Sequence, residues 1–95
     1  MNKYELALVV NAKIEDDERA AAVEKAKEII TRFGGVVTEV EDAGKKRLAY
    51  EIQHMKEGFY YFIQFDAPST CPEEVERRVR ILDNVIRYLC VRKDA

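Results

Sequence analysis

Two kinds of apolar periodicity alternate along this chain, and their order restricts the folds that it can adopt. Short runs rich in Val, Ile, Leu, Tyr and Phe predict strands at residues 4–10, 36–52, 59–65 and 85–91. Apolar residues recur at helical spacing over residues 15–33, and again over residues 70–82. The order βαββαβ predicts a four-stranded antiparallel sheet that carries both helices on one face.

Local signals mark where these segments begin and end. Gly34-Gly35 supplies a left-handed exit for the first helix, whose acidic residues 15–18 suit the positive end of the helix dipole. Thr70-Cys71-Pro72-Glu73 predicts a capping box, and Asp83-Asn84 is expected to end the second helix after Leu82. A bulge or bend at residues 42–44 is predicted to divide the second strand into halves at 36–40 and 48–52.

This arrangement is the ferredoxin-like α+β class, and it leaves one face of the sheet open. A chain of 95 residues is long enough for one small core, so residues 1–95 are predicted to form a single domain. Strand alternation directs one set of side chains to the helices: Leu6, Leu8, Val10, Tyr61, Ile63 and Phe65. The open face then carries Ala7, Val9, Tyr60, Phe62, Arg87, Leu89 and Val91. A sheet face with this many apolar side chains predicts an interaction site.

Charge is distributed unevenly between the two halves of the chain. The net charge of −2 argues against nucleic-acid binding through a general basic field. Residues 1–44 carry six Lys or Arg against ten Asp or Glu, whereas residues 45–95 carry ten against eight. Any RNA contact is therefore local, at Lys45-Lys46-Arg47, at Arg77, Arg78 and Arg80, or at Arg87, Arg92 and Lys93. Alternation with Leu48 is expected to place Arg47 on the open face.

The same cations also have structural explanations. Lys and Arg on an edge strand oppose edge-to-edge pairing, and Arg near a helix C-terminus is favourable without any ligand. The residues alone therefore do not decide between RNA contact and a structural role for these cations.

Side chains with catalytic or metal-binding chemistry are few and scattered. Cys71 and Cys90 fit neither a CxxC pair nor a metal-ligand spacing, and buried, inert thiols are expected. His54 is expected in an exposed hairpin loop without an orienting partner. We predict no enzymatic activity, no cofactor and no metal. Without a run of about 20 apolar residues or a signal-peptide segment at its start, the protein is expected in the cytoplasm.

Two segments closely resemble the bacterial small-subunit ribosomal protein six family. The resemblance extends over nearly the whole chain. A GxxRLAYxI stretch is matched by Gly44, Arg47, Leu48, Ala49, Tyr50 and Ile52. An LRIxDNVIR-like stretch is largely matched by Arg80, Ile81, Asp83, Asn84, Val85 and Arg87, with Val79 in place of its first Leu. The opening Lys3-Tyr4-Glu5 and the aromatic run after Gly58 are also similar to the family.

The resemblance implies a structural constituent of the small ribosomal subunit. Such a protein would bind the central domain of small-subunit ribosomal RNA together with small-subunit ribosomal protein eighteen during assembly, and would be a monomer when isolated. Expected RNA contacts are Lys3, Tyr4, Lys46, Arg47, Arg87 and Arg92. Expected partner-face residues are Tyr60, Phe62, Leu89 and Val91. A basic partner would supply cations that this chain lacks.

Three other functions fit the predicted topology. An RNA-recognition motif would stack bases on Tyr60 and Phe62, but its cationic and glycine strand positions are missing here. A small phosphatase would need an anion-binding loop after the first strand, where Asn11-Ala12-Lys13-Ile14 has no glycine-rich cradle. A small-molecule regulatory domain would form a stable homodimer without RNA.

Overall fold

A computed structural model describes residues 1–52 and 55–93. The elements follow the predicted order: β1 (Asn2–Asn11), α1 (Asp16–Arg32), β2 (Val36–Ile52), β3 (Met55–Ala67), α2 (Cys71–Val79) and β4 (Val85–Arg92). Within the described ranges, neither helix is long and apolar enough to cross a membrane.

The four strands form one antiparallel sheet in the order β2-β3-β1-β4. The two central strands are therefore β3 and β1, while β2 and β4 are the edges. Both helices contribute buried residues to one hydrophobic cluster with a single face of the sheet. The predicted ferredoxin-like fold is confirmed.

The main core lies between that face and the helices. All six sheet residues predicted to face the helices belong to it, from Leu6 on β1 to Phe65 on β3. Helix α1 adds Ile30, and α2 adds Val75, both with no exposed surface. Burying a side chain of this size contributes about 1.5–3 kcal/mol, so the alternating strand residues account for much of the stability.

Helix α1 ends as predicted, whereas the ends of α2 differ from the prediction. The N–H of Gly35 donates to the carbonyl of Ile30 at 2.9 Å, which closes the last turn of α1. Thr70 forms no capping hydrogen bond, because its backbone is already helical (φ −83°, ψ −15°) rather than extended. Past Val79 the N–H of Leu82 donates to the residue three back, so the chain tightens into a turn instead of continuing α2.

Strand β2 is continuous but irregular. The predicted bulge is confirmed, because the register with β3 shifts between Asp42 and Gly44. Gly44 has φ +81°, a conformation that residues with a Cβ rarely adopt, and its N–H donates to Oδ1 of Asp42 at 2.9 Å. The two predicted halves are thus one strand, with the extra residue absorbed at this glycine.

Candidate partner and nucleic-acid interface

The face of the sheet opposite the helices carries an exposed apolar strip on β4. Leu89 and Val91 keep 58% and 39% of their surface exposed. Ala7 on β1 is the cross-strand neighbour of both Leu89 and Phe62, and Tyr60, two residues before Phe62, lies on the same side of β3. The structure thus brings the four residues predicted for the partner face onto one side of the sheet.

One end of this open face is covered by the β2–β3 hairpin. Leu48, with 8% of its surface exposed, packs in a second small cluster with Val9 and Ile86. Met55 and Tyr60 pack against the margin of this cluster. The hairpin is therefore held against the sheet by apolar contacts, and the Leu89 side of the face remains uncovered by the described chain.

Gly58 makes this close approach possible. A Cβ at Gly58 would lie 2.4 Å from Cγ1 of Val9 and 3.6 Å from Cδ1 of Ile86. The first distance is far below a normal carbon–carbon contact, so any side chain here would displace Val9. The glycine before the aromatic run, noted in the sequence as part of a family pattern, thus has a packing explanation.

The cations of β2 lie on both sides of the hairpin. Nζ of Lys46 lies 5.8 Å from the ring centroid of Tyr60 on the open face, whereas Nζ of Lys45 lies 5.9 Å from that of Phe59. Because Leu48 covers the open face instead of joining the main core, alternation directs Arg47 to the opposite side. The predicted orientation of Arg47 was therefore wrong, although its side chain is exposed.

Arg87 is held at the junction of the hairpin and β4. Its Nη1 donates to the phenol oxygen of Tyr50 at 2.9 Å, and its guanidinium carbon lies 5.6 Å from the centroid of that ring. A guanidinium has five N–H donors, so this contact leaves others to bind an acceptor such as a phosphate. Tyr50 was visible in the sequence only as part of a motif, and its contact with Arg87 was not predicted.

The remaining predicted RNA contacts lie at the far end of β1 and β4. Lys3 is exposed, and alternation with buried Tyr4 places it on the open side. Nη2 of Arg92 donates to Oδ1 of Asn2 at 3.1 Å. Tyr4 is only 6% exposed, and its ring stacks on Phe65 with centroids 5.5 Å apart. This burial corrects the prediction for Tyr4, which is a core residue with no ring face for a base.

Carboxylates border the open face away from the hairpin, a feature that sequence reasoning missed. Glu39 and Glu41 on β2 pair with Gln64 and Phe62 of β3, which places both carboxylates on the open side. Glu5 on β1 accepts a hydrogen bond from Nε2 of Gln64. The sequence pattern did not indicate this feature, because Glu5 and the two β2 carboxylates share one side of the sheet only through the register in which β1, β2 and β3 pair.

Nucleophilic and metal-binding groups in residues 1–52 and 55–93 form no reactive cluster. Burial, together with the carboxylate of Glu76 and the thiol of Cys71, raises the pKa of Cys90 to about 12. Burial also raises the pKa of Cys71. The same ranges contain no group of three His, Cys, Asp or Glu residues placed to hold a metal ion. His54 lies outside the described residues.

The loop after β1 has a local structural explanation. Oδ1 of Asn11 accepts a hydrogen bond from the N–H of Lys13 at 2.8 Å. The asparagine side chain is therefore engaged in its own turn, a common use of this residue.

Comparison with known proteins gives one consistent result. The family model described as Ribosomal protein S6 matches residues 3–92. The small ribosomal subunit protein bS6 of Moorella thermoacetica is 41% identical over 92 residues, covering 97% of this chain and 94% of the relative. The protein of the same name from Clostridium kluyveri is 39% identical over 94 residues, covering 99% of both chains.

A solved structure agrees with the sequence relatives. The crystal structure of 30S ribosomal protein S6 from Thermotoga maritima has a TM-score of 0.91 and 30% sequence identity. The similarity covers 97% of this chain and 87% of that one.

Proposed function

This chain belongs to the ribosomal protein S6 family, and from that premise we propose that it binds the central domain of small-subunit ribosomal RNA together with small-subunit ribosomal protein eighteen. Family membership makes it a component of the small ribosomal subunit and of translation. Its role there is purely structural and non-catalytic. Before it meets the partner, the isolated chain is a monomer.

The observation that carries the proposal is the exposed apolar strip on the open face. Leu89 and Val91 are edge-strand residues whose side chains no described segment covers. Together with Tyr60 and Phe62 they form a contiguous apolar surface of the kind that marks a protein contact. The β2–β3 hairpin limits this surface at one end, so the partner is expected on the side nearer β4.

Charge on the β2 side of the open face favours a basic partner. Glu39 and Glu41 are exposed on the open side of β2, and Glu5 lies across β3 from them on β1. Complementary charge steers association and fixes the orientation of a complex more than it adds affinity. A basic protein bound here would also bring cations to an RNA site that this chain, at net charge −2, serves poorly alone.

The RNA contacts that we propose are Lys3, Lys46, Arg47, Arg87 and Arg92. Arg87 is the central one, because Tyr50 already fixes its guanidinium beside the apolar strip. A cation held in place loses less side-chain entropy when it binds a phosphate. RNA and partner would therefore meet at the hairpin end of β4.

The test is the affinity for a central-domain fragment of small-subunit ribosomal RNA, with and without purified small-subunit ribosomal protein eighteen. We expect weak binding by the chain alone and binding at least about tenfold tighter with the partner. Arg87→Gln should weaken the ternary complex, whereas Arg80→Gln removes the same charge from the end of α2 and should not. Equal affinity with and without the partner would contradict cooperative binding.

A further inference from the structure

A second group of cations lies beside the β2–β3 hairpin, apart from the apolar strip. A cleft of about 380 Å³ separates the β1–α1 loop from the hairpin, and it is lined by Ala12, Lys13, Lys45, Met55, Lys56 and Glu57. The lining thus includes three lysines and a single glutamate. None of these lysines has a role in the contacts proposed above.

The cleft opens on the helix side of the sheet. Lys45 approaches the ring of Phe59, and Phe59 packs against the main core beneath the helices. The guanidinium carbon of Arg19 on α1 lies 3.7 Å from the centroid of the same ring. Lys46, the next residue along β2, approaches Tyr60 on the other face. Consecutive lysines therefore present charge on opposite sides of one edge strand.

The loop that carries Lys13 is anchored at two points. The backbone N–H of Lys13 donates to Oδ1 of Asn11, and the N–H of Asn11 donates to the carbonyl of Asn84, both at 2.8 Å. The position of this wall of the cleft relative to β4 is thus set by hydrogen bonds. Lys13 therefore belongs to a hydrogen-bonded turn that lines the cleft together with Lys45 and Lys56.

The three lysines of the cleft carry charge that no ion pair balances in the part of the chain that the structure describes. No ion pair there joins Lys13, Lys45 or Lys56 to a carboxylate, although Lys27 and Arg77 elsewhere do form such pairs. Like charges that converge without counterions repel one another, and an anion with several acceptor oxygens would relieve this repulsion. The cleft is therefore suited to a phosphate group, whose oxygens can accept from more than one lysine.

We propose that this cleft binds a phosphate of the ribosomal RNA backbone, so that the RNA contacts both sides of the β2–β3 hairpin. The inference rests on the RNA binding proposed above and extends it to the helix side of the sheet. Strand β2 is an edge strand, so a backbone passing around it reaches Lys46 on one side and the cleft on the other. Arg47, which shares its side of β2 with Lys45, lies next to this path.

The test uses a triple variant and a charge-matched control. Lys13→Gln, Lys45→Gln and Lys56→Gln together remove three charges from the cleft. Lys25→Gln, Arg32→Gln and Arg78→Gln remove three charges from a groove between α1 and the segment after α2. The affinity of each variant for the central-domain RNA fragment is measured across a salt series, with small-subunit ribosomal protein eighteen present.

We expect the cleft variant to bind about tenfold more weakly at fixed salt, and to lose about one unit of slope in the plot of log affinity against log salt. The control variant should keep the slope of the unmodified chain. Thermal unfolding of the cleft variant at low salt should occur at the same temperature or higher, because the lysine repulsion is removed.

Two outcomes would overturn the inference, and they are distinguishable. If the unmodified chain binds the RNA fragment with its partner, but the cleft variant has the affinity and slope of the control, the cleft does not bind phosphate. If the unmodified chain does not bind the fragment at all, both the cleft and the proposed function fail.

Discussion

The phenol oxygen of Tyr50 accepts a hydrogen bond of 2.9 Å from Nη1 of Arg87, and this contact joins the two edge strands of the sheet across its open face. Strands β2 and β4 are separated by β3 and β1 in the sheet order, so only a hairpin that bends over the face brings them together. The apolar contact of Leu48 with Val9 and Ile86 holds the bend.

Tyr50→Phe should keep the ring beneath the guanidinium but remove its hydrogen bond. Because Tyr50 is 61% exposed, we expect the free energy of unfolding to change by less than about 0.5 kcal/mol. RNA affinity in the presence of the partner should fall about threefold, the effect of losing a hydrogen bond worth ~0.5–1 kcal/mol. Tyr88→Phe is the control, because the Tyr88 hydroxyl has no hydrogen bond within the described chain. Equal affinities for the two variants would exclude a positioning role for Tyr50.

Leu89→Glu should abolish binding to small-subunit ribosomal protein eighteen without unfolding the chain. Leu89 is 58% exposed in the isolated protein, so a charge there costs the monomer little, whereas a covered interface would bury it unpaired. Isothermal titration calorimetry measures the partner affinity. The matched control is Ile81→Glu, which introduces the same charge at a residue that is 71% exposed after α2. Loss of binding in both variants, or in neither, would remove the partner from the open face.

Gly58→Ala should destabilise the fold by about 1–3 kcal/mol, the usual cost of overpacking. The added Cβ would meet Cγ1 of Val9 at 2.4 Å, and the hairpin cannot move away without exposing Leu48. Denaturant unfolding of the single and double variants provides the measurement. In a Val9→Ala background the additional cost of Gly58→Ala should be smaller, because the clashing methyl is absent. Strictly additive costs would show that the clash is not the cause.

The raised pKa of Cys90 predicts a loss of stability at alkaline pH. The folded thiol keeps its proton up to a pH of about 12, while the unfolded thiol ionises near its ordinary pKa of 9.0. Between these values the folded state binds more protons, so stability falls as pH rises. The difference in unfolding free energy between the wild type and Cys90→Ala should therefore shrink above pH 9, by at most ~1.4 kcal/mol per pH unit. A difference that stays constant from pH 7 to pH 10 would contradict the shift.

The features that sequence reasoning predicted well depend on local chemistry or on strand alternation. The bulge at Gly44 and the end of α1 at Gly34 depend on positive-φ backbone conformations that few residues other than glycine adopt. The core residues of β1 and β3 follow from a period of two in strands with one buried face. Such signals are contained in a few consecutive residues, so no tertiary information is needed to read them.

The orientation of Arg47, which sequence reasoning missed, depends on residues far apart in the chain. The side of β2 on which Arg47 lies was predicted on the assumption that Leu48 joins the main core. Leu48 instead packs on Val9 and Ile86, because the hairpin extends over the open face. The predicted capping box at Thr70 was wrong for a different reason. The backbone of Thr70 is already helical, so its side chain makes no capping hydrogen bond to a backbone N–H of α2.

Stoichiometry in solution tests whether the open face of this chain binds small-subunit ribosomal protein eighteen. Sedimentation velocity would be measured on the chain alone, on small-subunit ribosomal protein eighteen alone, and on an equimolar mixture without RNA. We predict a monomer for the isolated chain and a one-to-one heterodimer in the mixture, with the heterodimer lost in Leu89→Glu and retained in Ile81→Glu. A stable homodimer of the isolated chain that does not exchange into a complex with the partner would contradict the account.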